Sequence, residues 1–209
     1  MAAQVAAVPE KPEAEAVARL AAEMVGRRDV ALTGTAPLLD LFPAAIAAAP
    51  DDAARQALVV ARAGLAAHGL ALAHTHVRLN AAQVHNAVRQ RLGLAASADD
   101  MAQRRGLLGT INAALGEVQA QPVDFGALIA EQASAARLML VCAQIAKHVD
   151  GSAPIRFLIA ETETGYTLLA ALWLAKRFGC DHAIELSPLF ETSEALDRAP
   201  PSATRERQE

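Results

Sequence analysis

Several side chains in this sequence can bind or coordinate a small polar ligand, and their spacing gives them a chance to meet. His74 and His76 stand two residues apart, so on an extended strand both imidazoles face the same way. A His-x-His pair on a strand can hold a metal ion, and His85 is available as a third ligand. The alternative for these imidazoles is a polar pocket or a hydrogen-bonded core position. Arg78 follows in the same stretch; its guanidinium offers a planar fork of donors to a phosphate or carboxylate. Glu161 and Glu163 sit in one polar loop, and Glu191 sits in the turn Pro188-Leu-Phe-Glu-Thr192. A carboxylate is the ligand type that magnesium or manganese takes, although one carboxylate leaves most of the coordination sphere to water. Acidic residues ahead of a helix also favour its dipole, which is the structural reading of Glu161 and Glu163.

The elements around these residues predict where they lie. Ile155–Ala160 is a short apolar run, 161–165 a polar loop, and Tyr166–Phe178 has helical apolar spacing with Lys176, Arg177 and Gly179 at its end. Ala183–Ser187 is a second strand candidate that runs into the PLFET turn. Strand, helix and strand in succession imply parallel strands, whose following loops open at one end of the sheet. Upstream, Leu70–Leu79 reads as a strand with Leu72, His74, His76 and Arg78 on one side. Asn80-Ala-Ala-Gln83 then matches a capping box and opens a helix ending near Gly93. Arg78, Glu161 and Glu191 are therefore expected at the C-terminal ends of neighbouring parallel strands, where α/β barrels keep their active sites.

The remaining chain reads as helical. Helices are expected over Glu13–Val25, Asp51–His68, Ser97–Val118 and Phe125–Val149, with short helical turns over Thr33–Pro50. Residues 1–50 form a helical or irregular N-terminal segment, 51–197 a partial α/β barrel, and 198–209 a polar, proline-containing tail expected to be disordered. Hydrophobic residues make up 53% of the sequence but aromatics only 3%, so the apolar content is largely alanine, which suits closely packed helices. The formal net charge of -4 gives no reason to expect nucleic acid or an acidic membrane as partner. Cys142 and Cys180 lack metal-site spacing and read as reduced core thiols. With no signal-peptide pattern at MAAQVAAVPEKPEAE and no long apolar run, the expected location is the cytoplasm.

Three stretches carry a resemblance. PLFET at 188–192, followed by SEAL, resembles the same turn of phosphoenolpyruvate carboxylase. FLIAETETGYTLLAALWLAKRFG is similar to that family's preceding strand-and-helix unit, and HGLALAHTHVRLNAAQ to its strand ending in Arg-Gln-Glu-Ser. The matches occur in order and span roughly 58–196. The resemblance implies a helix-rich piece of a parallel (β/α) barrel and a lyase that adds bicarbonate to phosphoenolpyruvate, giving oxaloacetate and phosphate. It implies magnesium or manganese held by Glu191, and Arg78 beside the substrate as a catalytic and binding residue. It also implies homotetramers as the family's usual assembly. Arg78 is followed by Leu-Asn-Ala rather than Gln-Glu-Ser, and Glu163 stands where many members have lysine, which marks a divergent branch or lost function. The family's other catalytic groups are not recognisable, so the chain is expected to be an interior fragment, inactive alone. Two other function classes compete: a non-catalytic paralogue acting as a binding or assembly module, and a His-x-His metal-dependent hydrolase.

Overall fold

The computed structural model describes residues 19, 22–26, 32–71, 73–95, 102–193 and 196. The tail 198–209 and most of the expected helix Glu13–Val25 lie outside these residues; within that helix, 19 and 22–25 are helical. The fold is a helix-rich α/β arrangement built on one small parallel sheet. Its elements are α1 (Ala36–Leu39), α2 (Phe42–Ala47), α3 (Asp52–His68), β1 (His76–Asn80), α4 (Ala81–Leu92), α5 (Arg104–Glu117), α6 (Phe125–Ala130), α7 (Ser134–His148), β2 (Ile155–Ala160), α8 (Gly165–Arg177) and β3 (Ile184–Pro188). Among the described residues no helix is long and apolar enough to cross a membrane.

Local signals place most of these boundaries. The Asp51 carboxylate accepts from Ala54 N at 2.7 Å and starts α3. Both halves of the capping box at α4 form: Gln83 N donates to Asn80 Oδ1 at 3.0 Å, and Asn80 N donates to Gln83 Oε1 at 3.1 Å. Helix α8 ends in a Schellman turn, with Gly179 at φ 65° and Cys180 N bonded to Ala175 O.

The strand order is β1-β2-β3, all parallel. The register rows Val77–Phe157–Leu186 and Leu79–Ile159–Pro188 point into the core, with Ile155 and Ile184 beside them. There they meet Val84 and Val88 of α4, Met139 and Leu140 of α7, and Ala170 and Leu174 of α8. Full burial of Phe157, Ile159 and Ile155 contributes about 1.5–3 kcal/mol each. The other face carries the rows His76–Arg156–Glu185 and Arg78–Leu158–Ser187. His76, Arg78, Arg156 and Glu185 on it are exposed, and Arg156 Nε stands 3.8 Å from Glu185 Oε2. The core helices thus cover one face of the sheet and leave the other open among the described residues. Cys142 and Cys180 are buried on the helical side, and burial pushes their thiols up to about 11 and about 12.

Two expected elements are corrected. The strand Leu70–Leu79 begins only at His76, which leaves His74 off the strand. Leu70 N donates to Asp150 Oδ2 at 2.6 Å instead of to a strand neighbour, and Gly69 turns the chain at φ 73°. The single helix Phe125–Val149 is two helices, α6 and α7. Glu131 breaks it. Its carboxylate pairs with Arg91 and accepts from Ala133 N at 2.8 Å, so its side chain holds the chain extended where a helix would continue. The expected helix over 97–118 is described from Arg104 to Glu117; residues 96–101 lie outside the described set.

Asp150 ties the α3 hairpin to the body. Besides Leu70 N, its carboxylate accepts from Ser152 N at 2.8 Å and from the Ser152 hydroxyl. Burial raises its pKa, but the hydrogen bonds from Ser152, Leu70 and Ala71 together outweigh burial and hold it below the ordinary carboxylate value. A folded pKa below the unfolded one means stability that is fully present above the unfolded value and lost as pH falls through the folded one. Acid titration of unfolding free energy should therefore show a loss beginning near pH 4 that is smaller in Asp150→Asn, because asparagine keeps the shape without the titration. Parallel acid profiles for the two proteins would contradict this.

Candidate functional site

The open ends of the three strands bring two of the sequence-predicted residues into contact. Arg78 lies in β1, in the register row that continues through Leu158 to Ser187. Glu191 lies just past the end of β3. Two strand spacings separate β1 from β3, about 9.5 Å. Arg78 Nη2 nonetheless donates to Glu191 Oε1 at 2.7 Å. The contact needs a long side chain on one side and a returning turn on the other, and these residues supply both.

The return is built by the loop after β2. Thr162 is 1% exposed; its hydroxyl donates to Ile159 O at 2.8 Å and its N–H to Leu189 O at 3.1 Å. Leu189 N donates to the same Ile159 carbonyl at 2.9 Å. The PLFET turn is thereby clasped to the end of the central strand. Glu161 enters this clasp at φ 55°, the single non-glycine residue with positive φ among those described. Sequence reasoning did not single out Thr162; its fully buried place between two carbonyls depends on the long-range pairing of β2 with β3.

The ion pair itself is open to solvent. The Arg78 and Glu191 side chains are 59% and 41% exposed, so their attraction is screened and adds little to stability. What it fixes is orientation: one guanidinium edge is committed to Glu191, and the rest of its fork of donors is left for an incoming oxyanion. Glu161 and Glu163 are exposed on the loop after β2, at the same end of the sheet but outside this ion pair.

The three histidines expected to act together, His74, His76 and His85, do not gather. His76 is exposed in β1, His74 precedes the strand, and His85 sits on α4 with Nε2 2.9 Å from the Thr167 hydroxyl and its ring 5.2 Å from that of Tyr166. Among the described residues, no three imidazole, thiol or carboxylate groups stand together as a metal centre. That holds for the His74, His76 and His85 set and for Glu191, whose Oε1 is engaged by Arg78. The described residues therefore do not by themselves make up a magnesium or manganese site.

Compared with known proteins, the chain matches no family model, no curated protein and no solved structure.

Proposed function

We propose that this chain carries one corner of a phosphoenolpyruvate carboxylase active site, as an interior piece of that enzyme's parallel barrel. The observation that supports this best is the Arg78–Glu191 contact. It joins two of the stretches that resemble the family, and it does so at the C-terminal end of a parallel sheet. A consecutive strand order with the helices on one face is also the arrangement a barrel segment needs, whereas a doubly wound sheet reverses its order and covers both faces.

In this reading Arg78 holds the phosphoryl or carboxylate group of phosphoenolpyruvate, and Glu191 aims Arg78 until the substrate arrives. Bicarbonate is the second substrate; oxaloacetate and phosphate are the products. The reading carries magnesium or manganese with it, and Glu191 is the carboxylate it assigns to that ion. Further ligands and cations must come from elsewhere in the enzyme. The reading also includes the barrel's completion, assembly as a tetramer and a cytoplasmic location. A second reading, a non-catalytic binding or assembly module, draws on the open sheet face with its charged rows.

The test couples oxaloacetate formation to an NADH-dependent reductase. The 209-residue chain with phosphoenolpyruvate, bicarbonate and manganese is expected to show no turnover, since groups that act as a constellation fail together. A longer version carrying the flanking barrel segments is expected to show bicarbonate-dependent turnover that Arg78→Ala lowers by about 10²–10³. Absence of turnover in the longer version favours the assembly reading; turnover by the short chain, lost in Glu191→Ala, would place the whole site inside it.

A further inference from the structure

We propose that His68 and His74 form a two-imidazole site for a transition-metal ion of the zinc(II) or copper(II) class. The inference is independent of the lyase reading. His68 is the last residue of α3, and His74 lies in the loop before β1. Their ring centroids are 5.7 Å apart and their planes meet at 72°. Two imidazoles on one tetrahedral ion stand with centroids about 5 Å apart, given Zn–N bonds of about 2.0–2.1 Å. A small rotation of the exposed His68 ring closes the difference.

Two observations make this more than proximity. First, Nδ1 of His74 is buried and has no hydrogen-bond partner among the described residues. A buried polar atom without a partner is costly, and a metal bond to that nitrogen or a reoriented imidazole would relieve the cost. Second, the backbone directly after His68 is held. Gly69 is buried, its neighbour Leu70 donates to Asp150, and Asp150 is itself fixed by Ser152. His68 thus stands at the head of a pinned turn.

The ligand class follows from the donors. Neutral imidazole suits zinc, copper and nickel, whereas magnesium and calcium want oxygen. Among the described residues no third imidazole, thiol or carboxylate joins the pair, so water completes the coordination and copper binds more tightly than zinc. The site lies toward the N-terminal end of β1, away from the Arg78–Glu191 pair. A bound ion would clamp the end of α3 to the start of β1 and stabilise the folded state by mass action.

The experiment is calorimetric titration of the untagged chain with zinc(II), copper(II) or magnesium alone in a non-coordinating buffer. One ion per chain is expected for copper and for zinc, in that order of affinity, with no magnesium signal. His68→Ala and His74→Ala should each abolish the zinc signal, and His76→Ala and His182→Ala should leave it intact. Zinc should also raise the thermal midpoint of the native chain and of His76→Ala, but not of His68→Ala. His68 is an exposed helix-end residue, so its variant keeps the test decisive if His74→Ala does not fold. No zinc binding by the native chain, binding that survives in His68→Ala, or binding that requires His76 would each overturn the proposal.

Discussion

Gly69→Ala is expected to destabilise the chain by about 3 kcal/mol or more, read as a lowered midpoint in chemical denaturation with an unchanged slope. Two causes add. Gly69 adopts φ 73° and ψ -168°, a backbone region that residues with a Cβ avoid at a cost of about 1–3 kcal/mol. A Cβ there would also overlap Asp150 Oδ2 and come within 2.9 Å of the Ala153 Cβ. Neither neighbour can step aside cheaply. Moving the carboxylate breaks the bond to Leu70 N, and leaving that part-buried donor without a partner adds up to about 1 kcal/mol. Gly64→Ala is the control, because its added Cβ meets open space inside α3. That substitution should be neutral or stabilising, by up to about 1 kcal/mol, since alanine is the better helix former. Equal effects at the two positions would show that the turn is not the rigid strap described.

Arg78→Ala should separate function from folding. The Arg78–Glu191 pair is exposed, so the unfolding free energy should change by less than about 1 kcal/mol. If the proposed lyase reading holds, kcat of the barrel-completed version should fall by about 10²–10³, the usual loss when one charge-stabilising donor is removed from a reacting oxyanion. Arg78→Lys should recover only part of this, since an ammonium keeps the charge but lacks the fork. Glu191→Gln tests the aiming role: it keeps the size and an acceptor oxygen but weakens the hold on Arg78. A large loss of stability in Arg78→Ala, or full activity in Arg78→Lys, would contradict the role given to this guanidinium.

The parts of the fold legible in the sequence are those decided within a few residues. Asp51 and Asn80 announce helix starts because their side chains bond N–H groups three positions on. The β2–α8–β3 unit is legible because its apolar run, loop and helical spacing follow one another without interruption. Long-range partners override local pattern elsewhere. Leu70–Thr75 alternates like a strand, yet the Asp150 carboxylate captures its first amide. Phe125–Val149 has helical spacing throughout, yet Glu131 turns its carboxylate back to the backbone and to Arg91, and that local bond wins. The meeting of His74 with His68 was hidden for the same reason: the period of the sequence pointed to His76, and the turn at Gly69 decided otherwise. Residues Arg78 and Glu191 could be expected at one end of the sheet, but their direct contact depends on the Thr162 clasp, which has no signature in the sequence.

The central strand β2 pairs with both its neighbours, and the two ladders close at different entropic cost. The β2–β3 ladder closes a short loop through a single helix, whereas the β1–β2 ladder must gather the whole stretch that contains α4 to α7. Closing the longer loop costs more chain entropy, so the β2–α8–β3 unit is the natural nucleus. During synthesis, β1 leaves the ribosome first and finds no partner until β2 emerges. Its exposed edge is then a transient hazard for pairing between chains. The polar positions His76 and Arg78, alternating along β1 with Val77 and Leu79, make the waiting strand a poor template for such association.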